Sequence, residues 1–216
     1  MTNIESALKL LAQGEFVCSV RYPEEHAALD DPANRARAEQ WLGAIGYRLA
    51  RTGEEGAFFM AHAVLTADVR NKVREQIKNM RDKLEPVVAF MEILRQAQGR
   101  NAQLQPGDVL WETEIAEAVR MSVILERHLT DLRDIPGKMT DSAMERVRKI
   151  LSVLESEGYL VETNPNHKAY QVTGKVTYLY LMLQFMAENT PHLEESAMID
   201  KMETQQELLD GKATGS

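Results

Sequence analysis

Residues 140–154 read Thr140-Asp141-Ser142-Ala143-Met144-Glu145-Arg146-Val147-Arg148-Lys149-Ile150-Leu151-Ser152-Val153-Leu154. They run on into Gly158-Tyr159-Leu160-Val161-Glu162-Thr163, a polar Asn164-Pro165-Asn166-His167 turn and Lys168-Ala169-Tyr170-Gln171-Val172. The first part has the spacing of a capped amphipathic helix. Met144, Val147, Ile150, Leu151 and Leu154 recur on one face, and a glycine follows closely. The second part alternates β-forming residues on either side of a turn, the pattern of a hairpin. A helix that leads straight into a hairpin is the local signature of a winged-helix module, which either binds duplex DNA or docks proteins.

Working outward, the same order occurs nearer the N-terminus. A helix from Asn34 runs through Ala38, Trp41, Leu42 and Ile45 to Gly46. Tyr47-Arg48-Leu49-Ala50-Arg51, a turn rich in glycine at Thr52 to Gly56, and Ala57-Phe58-Phe59-Met60-Ala61 then form a hairpin. Gly46-Tyr47 enters the first hairpin as Gly158-Tyr159 enters the second, so the chain carries a structural repeat with little sequence identity. Ahead of the first module, Asn3 to Gln13 has helical spacing, Glu15 to Arg21 alternates like a strand, and Pro23 to Asp30 adds a helical turn. Cys18 is expected to be a small core residue on that strand.

Between the modules, Val69, Val73, Ile77, Met80, Leu84, Val87, Met91 and Leu94 form a helical stripe interrupted at Pro86. Pro106-Gly107 breaks the chain, and Val109 to Arg133 is expected to be helical through Ile115, Ala118, Val119, Ile124, Leu125, Leu129 and Leu132. A last helix is expected over Lys175 to Glu188, and Thr190-Pro191 ends it. The expected fold is therefore mainly α with small β-hairpins (α+β). It comprises an N-terminal winged helix over residues 1–65, a long helical connector over 66–100, a C-terminal winged helix over 101–190 and an acidic tail over 191–216.

Composition limits the function. The chain has 216 residues, 44% of them apolar and 27% charged, ordinary for a globular protein. No apolar run approaches the ~20 residues that span a bilayer, so a cytoplasmic location is expected. The net charge is −8, and it lies entirely in residues 101–216, with 11 basic against 19 acidic side chains. Duplex affinity rests on neutralising phosphates, so an acidic chain binds DNA weakly when alone.

Catalytic chemistry finds no foothold. The five histidines are scattered without metal-ligand spacing, the single cysteine excludes an intramolecular disulfide, and no catalytic residue, metal site or cofactor site is expected. Gly174-Lys175-Val176-Thr177 lacks the earlier glycine of a phosphate loop. What remains is surface recognition. Arg146 and Lys149 are neighbours on the outer face of their helix, and Lys168 and Lys175 lie on and just beyond the hairpin. Arg35, Arg37, Arg48 and Arg51 occupy equivalent places in the first module. These eight cations are the candidate DNA contacts, of the kind that position a protein without reading sequence.

Several blocks then carry a family resemblance: Gly14-Glu15-Phe16-Val17-Cys18, Arg48-Leu49-Ala50 with Ala57-Phe58-Phe59-Met60-Ala61, Gly107-Asp108-Val109-Leu110, and Gly158-Tyr159-Leu160-Val161-Glu162-Thr163-Asn164-Pro165. Thr173-Gly174-Lys175-Val176-Thr177-Tyr178-Leu179-Tyr180 is the most specific, because a generic winged helix need not continue so. Together they resemble the MukE/MksE-type (kite) accessory subunits of bacterial SMC condensin complexes. The resemblance implies a non-catalytic, nucleoid-associated homodimer, paired chiefly through the first winged helix. It implies binding to a kleisin (MukF/MksF-like) and, through it, to an SMC ATPase (MukB/MksB-like). It further implies non-specific duplex binding that is weak in isolation, in chromosome organisation or plasmid defence. The alternative reading is a stand-alone winged-helix transcription regulator, with Arg146 and Arg148 on base edges.

Overall fold

The computed structural model describes residues 3–64, 66, 87–99, 103–131, 142–164, 166, 168–186 and 188. The chain divides into two compact units, Met1–Thr177 and Tyr178–Ser216. In the first, α1 (Asn3–Ala12), α2 (Pro23–Asp30) and α3 (Pro32–Ala44) precede strands β1 (Tyr47–Arg51) and β2 (Phe58–His62). A helix over 87–97, α4, leads to β3 (Val109–Trp111), α5 (Glu112–Met121), α6 (Val123–Asp131), α7 (Ala143–Ser156), β4 (Leu160–Asn164) and β5 (Ala169–Val172). A helix over 175–186, α8, starts in the first unit, and its later part makes up most of what is described of the second. The protein is thus a mixed α+β fold with, among the described residues, two small antiparallel sheets, one ordered β1-β2 and the other β3-β5-β4.

Local chemistry sets the first half. In α1, Ile4, Ala7 and Leu11 are buried at spacings of three and four, which turns one stripe of the helix inward. Pro23 and Pro32 open α2 and α3, where their missing N–H is no loss. Asp31 caps α3 by accepting from the Asn34 N–H at 2.9 Å. Gly46, at φ +83°, then turns the chain into β1 through the left-handed region. Ile4, Ala7, Leu11, Val17, Leu29, Ala38, Leu42 and Phe58 form one core beneath the β1-β2 hairpin. Each large side chain among them contributes about 1.5–3 kcal/mol by leaving water.

The second half repeats the solution with a better-capped helix. Ser142 accepts from the Glu145 N–H while Glu145 Oε2 accepts from the Ser142 N–H, a complete capping box at the start of α7. Val147, Ile150, Leu151 and Leu154 are buried, and Gly158 at φ +80° releases the chain into β4. The hairpin pairs Leu160 with Val172 and Glu162 with Tyr170, with a register shift between Glu162 and Asn164.

Several expectations need correction. Glu15–Arg21 is not a strand: Val17 makes one bridge to Phe58, and the Tyr22 N–H then closes a turn on the Cys18 carbonyl. The turn delivers Pro23 to the start of α2, which overrides the alternation. Cys18 is buried, but off any strand. Val109–Arg133 is not one helix. Val109, Leu110 and Trp111 pair with Gln171, Tyr170 and Ala169, and Ser122 adopts an extended conformation between α5 and α6. Its Oγ accepts from the Leu125 N–H, so it starts α6 where a continuous helix was expected. On α3, Ala38 and Leu42 are buried as expected, but Trp41, and Ile45 just past the helix end, are 40% and 49% exposed.

Of the connector, α4 buries Val87, Phe90, Met91, Ile93 and Leu94. The stripe from Val69 to Leu84 and the acidic tail lie outside the described residues. No helix among the described residues is long and apolar enough to cross a membrane.

Candidate nucleic-acid interface

The burial of Val147, Ile150, Leu151 and Leu154 turns the opposite face of α7 outward, leaving Arg148 exposed and Arg146 and Lys149 half-buried. Arg146 Nη1 donates to Thr130 Oγ1 on α6 at 2.7 Å. Lys168 sits in the hairpin turn at φ +48°, and its Nζ meets Glu162 Oε1 at 2.7 Å. The hydrogen bond to Glu162 raises the Lys168 pKa above its usual value. Lys175 is held differently. Its Nζ donates to the Glu157 carbonyl and lies 4.6 Å from the Tyr159 ring centre and 5.8 Å from that of Phe16. Burial pushes its pKa down. Arg146, Lys168 and Lys175 are therefore held toward different acceptors.

In the first half, Arg35 and Arg51 converge on Asp30 rather than outward. Arg51 Nη1 and Arg35 Nη2 lie 2.9 and 3.3 Å from Asp30 Oδ1, and both guanidinium groups lie over the Phe58 ring. His26 joins them: its ring faces Asp30 Oδ2 on one side and the Gly56 carbonyl on the other. Arg51 Nε donates to the same carbonyl. This cluster ties α2, α3 and the β1-β2 turn together. Arg37 on α3 and Arg48 on β1 are exposed, with no ion-pair partner among the described residues.

Two features escaped the sequence reading. Arg148 donates from Nε and Nη2 to Glu112 Oε1 at 3.1 and 2.7 Å, so an exposed arginine is anchored on a buried carboxylate. Glu112 opens α5 and passes its N–H to the Lys168 carbonyl, which puts α7, α5 and the second hairpin around one acidic side chain. The two residues stand 36 apart, and no local pattern links them. Apolar surface is the other feature. Trp41 on α3, Ile45 just past it and Val64 just past β2 are 40%, 49% and 67% exposed. Met121, Val123 and Ile124 are 66–82% exposed at the α5–α6 corner. The i,i+4 spacing of Trp41 and Ile45 was visible in the sequence, but it did not say which face was buried.

The described residues thus form a three-helix, hairpin-ended half followed by a helix-then-hairpin half. Residues 3–183 match the family model described as condensin complex protein MksE, and the chain belongs to that family. It is therefore an MksE-type accessory subunit of a condensin complex, and its partners include other subunits of that complex. None of the curated proteins compared with the chain matches it.

Proposed function

We propose that this subunit is non-catalytic, that it binds the kleisin, and that it helps the SMC ATPase hold DNA for chromosome organisation or plasmid defence. The observation that carries this reading is the recurrence of one element order. α2, α3, β1 and β2 are followed by α6, α7, β4 and β5, within a match that spans residues 3–183. Two winged helices in tandem, over 1–65 and 101–190, are the domains this order supports. The connector over 66–100 and the tail over 191–216 complete that division.

Duplex contact falls to cations that the fold leaves outward. Arg37 and Arg48, both exposed, are the strongest candidates; on the second module Arg146 and Lys149 are half-buried and are the weaker pair. Arg35, Arg51, Arg146, Lys168 and Lys175 contribute only by giving up internal acceptors. Homodimer pairing through the first module is supported by Trp41, Ile45 and Val64, since apolar side chains on a helix and hairpin edge suit protein better than phosphate.

Gentle purification of the tagged chain from its native cell, with mass spectrometry of what accompanies it, tests the reading. Stoichiometric recovery of a coiled-coil ATPase and a kleisin is expected. Reversing Arg146 and Lys149 to Glu should then preserve the fold and weaken DNA retention by the assembled complex. Recovery of the chain alone, bound to a discrete promoter fragment, would replace this reading with that of a stand-alone regulator.

A further inference from the structure

The first unit contains a seam at which the two halves meet backbone to side chain. The Gly174 N–H donates to Cys18 Sγ at 3.3 Å across 156 residues of sequence. A Cβ on Gly174 would stand 2.8 Å from Cys18 Cβ and 3.0 Å from Ala57 Cβ, so the close approach depends on glycine. A Cβ on Gly158 would come within 2.5 Å of Arg21 Nη1. Thr173 braces these two glycines: its N–H donates to the Tyr159 carbonyl and its hydroxyl to that of Gly158, at 2.9 and 2.7 Å.

Lys175 closes the edge of the seam. From the second half it reaches the Glu157 carbonyl and lies over Tyr159, and it also lies over Phe16 of the first half, whose ring stacks on Phe59 at 5.2 Å. Glu15 and Arg21, paired at 3.5 Å, flank it. The cation is thus shared between aromatic rings from both halves.

We infer that Thr173-Gly174-Lys175 is a latch that locks residues 15–21 and Ala57 of the first half to the second half, so that the two hairpins are carried at a fixed spacing. This gives the Gly-Lys step a role that a generic helix-then-hairpin does not require. The inference goes beyond the proposed function and stands without it, because it concerns the free chain. When the latch opens, Cys18 is uncovered while each half stays folded.

Cys18 is the single cysteine of the sequence and is 4% exposed, so its labelling by an aromatic disulfide reports the seam directly. In the full chain under native conditions, Lys175→Met keeps the apolar stem and removes the cation. It should speed labelling about tenfold with an unchanged far-UV spectrum, as expected for loss of a charged bond and its ring contacts. Gly174→Ala should speed it further, and if that variant fails to fold, Lys175→Met decides alone. Ile150→Val, in the second core, destabilises the chain away from the seam and should leave labelling within about twofold. Wild-type labelling rates in the folded seam variants would overturn the latch. So would equal acceleration by Ile150→Val, because Cys18 would then report global unfolding.

Discussion

Removing the guanidinium of Arg148 strands a carboxylate. Glu112 has 3% of its side chain exposed, against 57% for Arg148, and both charged hydrogen bonds fall on its Oε1. Its Oε2 has no hydrogen-bond partner among the described residues. Breaking a fully buried pair by removing one partner costs about 3–5 kcal/mol, chiefly because the remaining charge is uncompensated. Water reaches the Arg148 side of this pair, so the expected cost of Arg148→Met is lower, about 2 kcal/mol. For a unit of this size that corresponds to a Tm lower by roughly 4–8 °C. Urea unfolding followed by far-UV circular dichroism reads it as a lower midpoint with an unchanged slope. Adding Glu112→Gln removes the stranded charge and should recover more than half of the loss. A loss below about 0.5 kcal/mol, or a double variant as unstable as Arg148→Met, would refute the argument that a buried charge sets the cost.

Three further outcomes are expected. Hydrogen bonds from Arg95, and next from Gln96, hold the Glu92 pKa down to about 2 against the opposing effect of burial. Because the folded value lies below the unfolded one, its contribution is present above about pH 4.5 and is lost as pH falls toward 2. Glu92 is 46% exposed, so Arg95→Met should cost less than about 1 kcal/mol at pH 7 and almost nothing near pH 2, read from urea midpoints across pH. Gly56→Ala would place a Cβ 1.7 Å from the Thr52 carbonyl oxygen, which no rotamer relieves, and should cost about 3 kcal/mol by the same assay. Ser142→Ala removes the cap of α7 and should cost about 1 kcal/mol, with partial recovery by Ser142→Asp.

The sequence revealed those elements whose signals are local. Helix α7 and its hairpin were legible because apolar spacing, a cap and Gly158 all agree over 30-odd residues. The strand expected over Glu15–Arg21 failed because alternation says nothing about where a chain must turn. Val109–Trp111 was hidden because a three-residue strand is defined by its partner β5, some 60 positions away. The candidate site was half legible for a similar reason. Spacing predicts Arg146 and Lys149 on an outward face, where the structure has both half-buried, and it could not show that Asp30 gathers Arg35 and Arg51 or that Glu112 anchors Arg148. Such pairings depend on tertiary approach between elements whose local sequences are unrelated.

The cluster at Asp30 has a consequence in salt titrations. Arg35 and Arg51 are engaged by one carboxylate, Lys168 by another, Lys175 by a backbone carbonyl and Arg146 by the Thr130 hydroxyl, so at least five of the eight candidate cations already have acceptors within the chain. A cation that keeps its internal acceptor neutralises no phosphate and so displaces none of the duplex's condensed counterions. The slope of log affinity against log salt, per protomer, should then be about −3 or shallower rather than the roughly −7 that eight phosphate contacts would give on B-DNA. On the proposed duplex contact, ionic strength would weaken this subunit's share of binding only gradually, leaving steep salt sensitivity to whatever else the complex brings to the duplex.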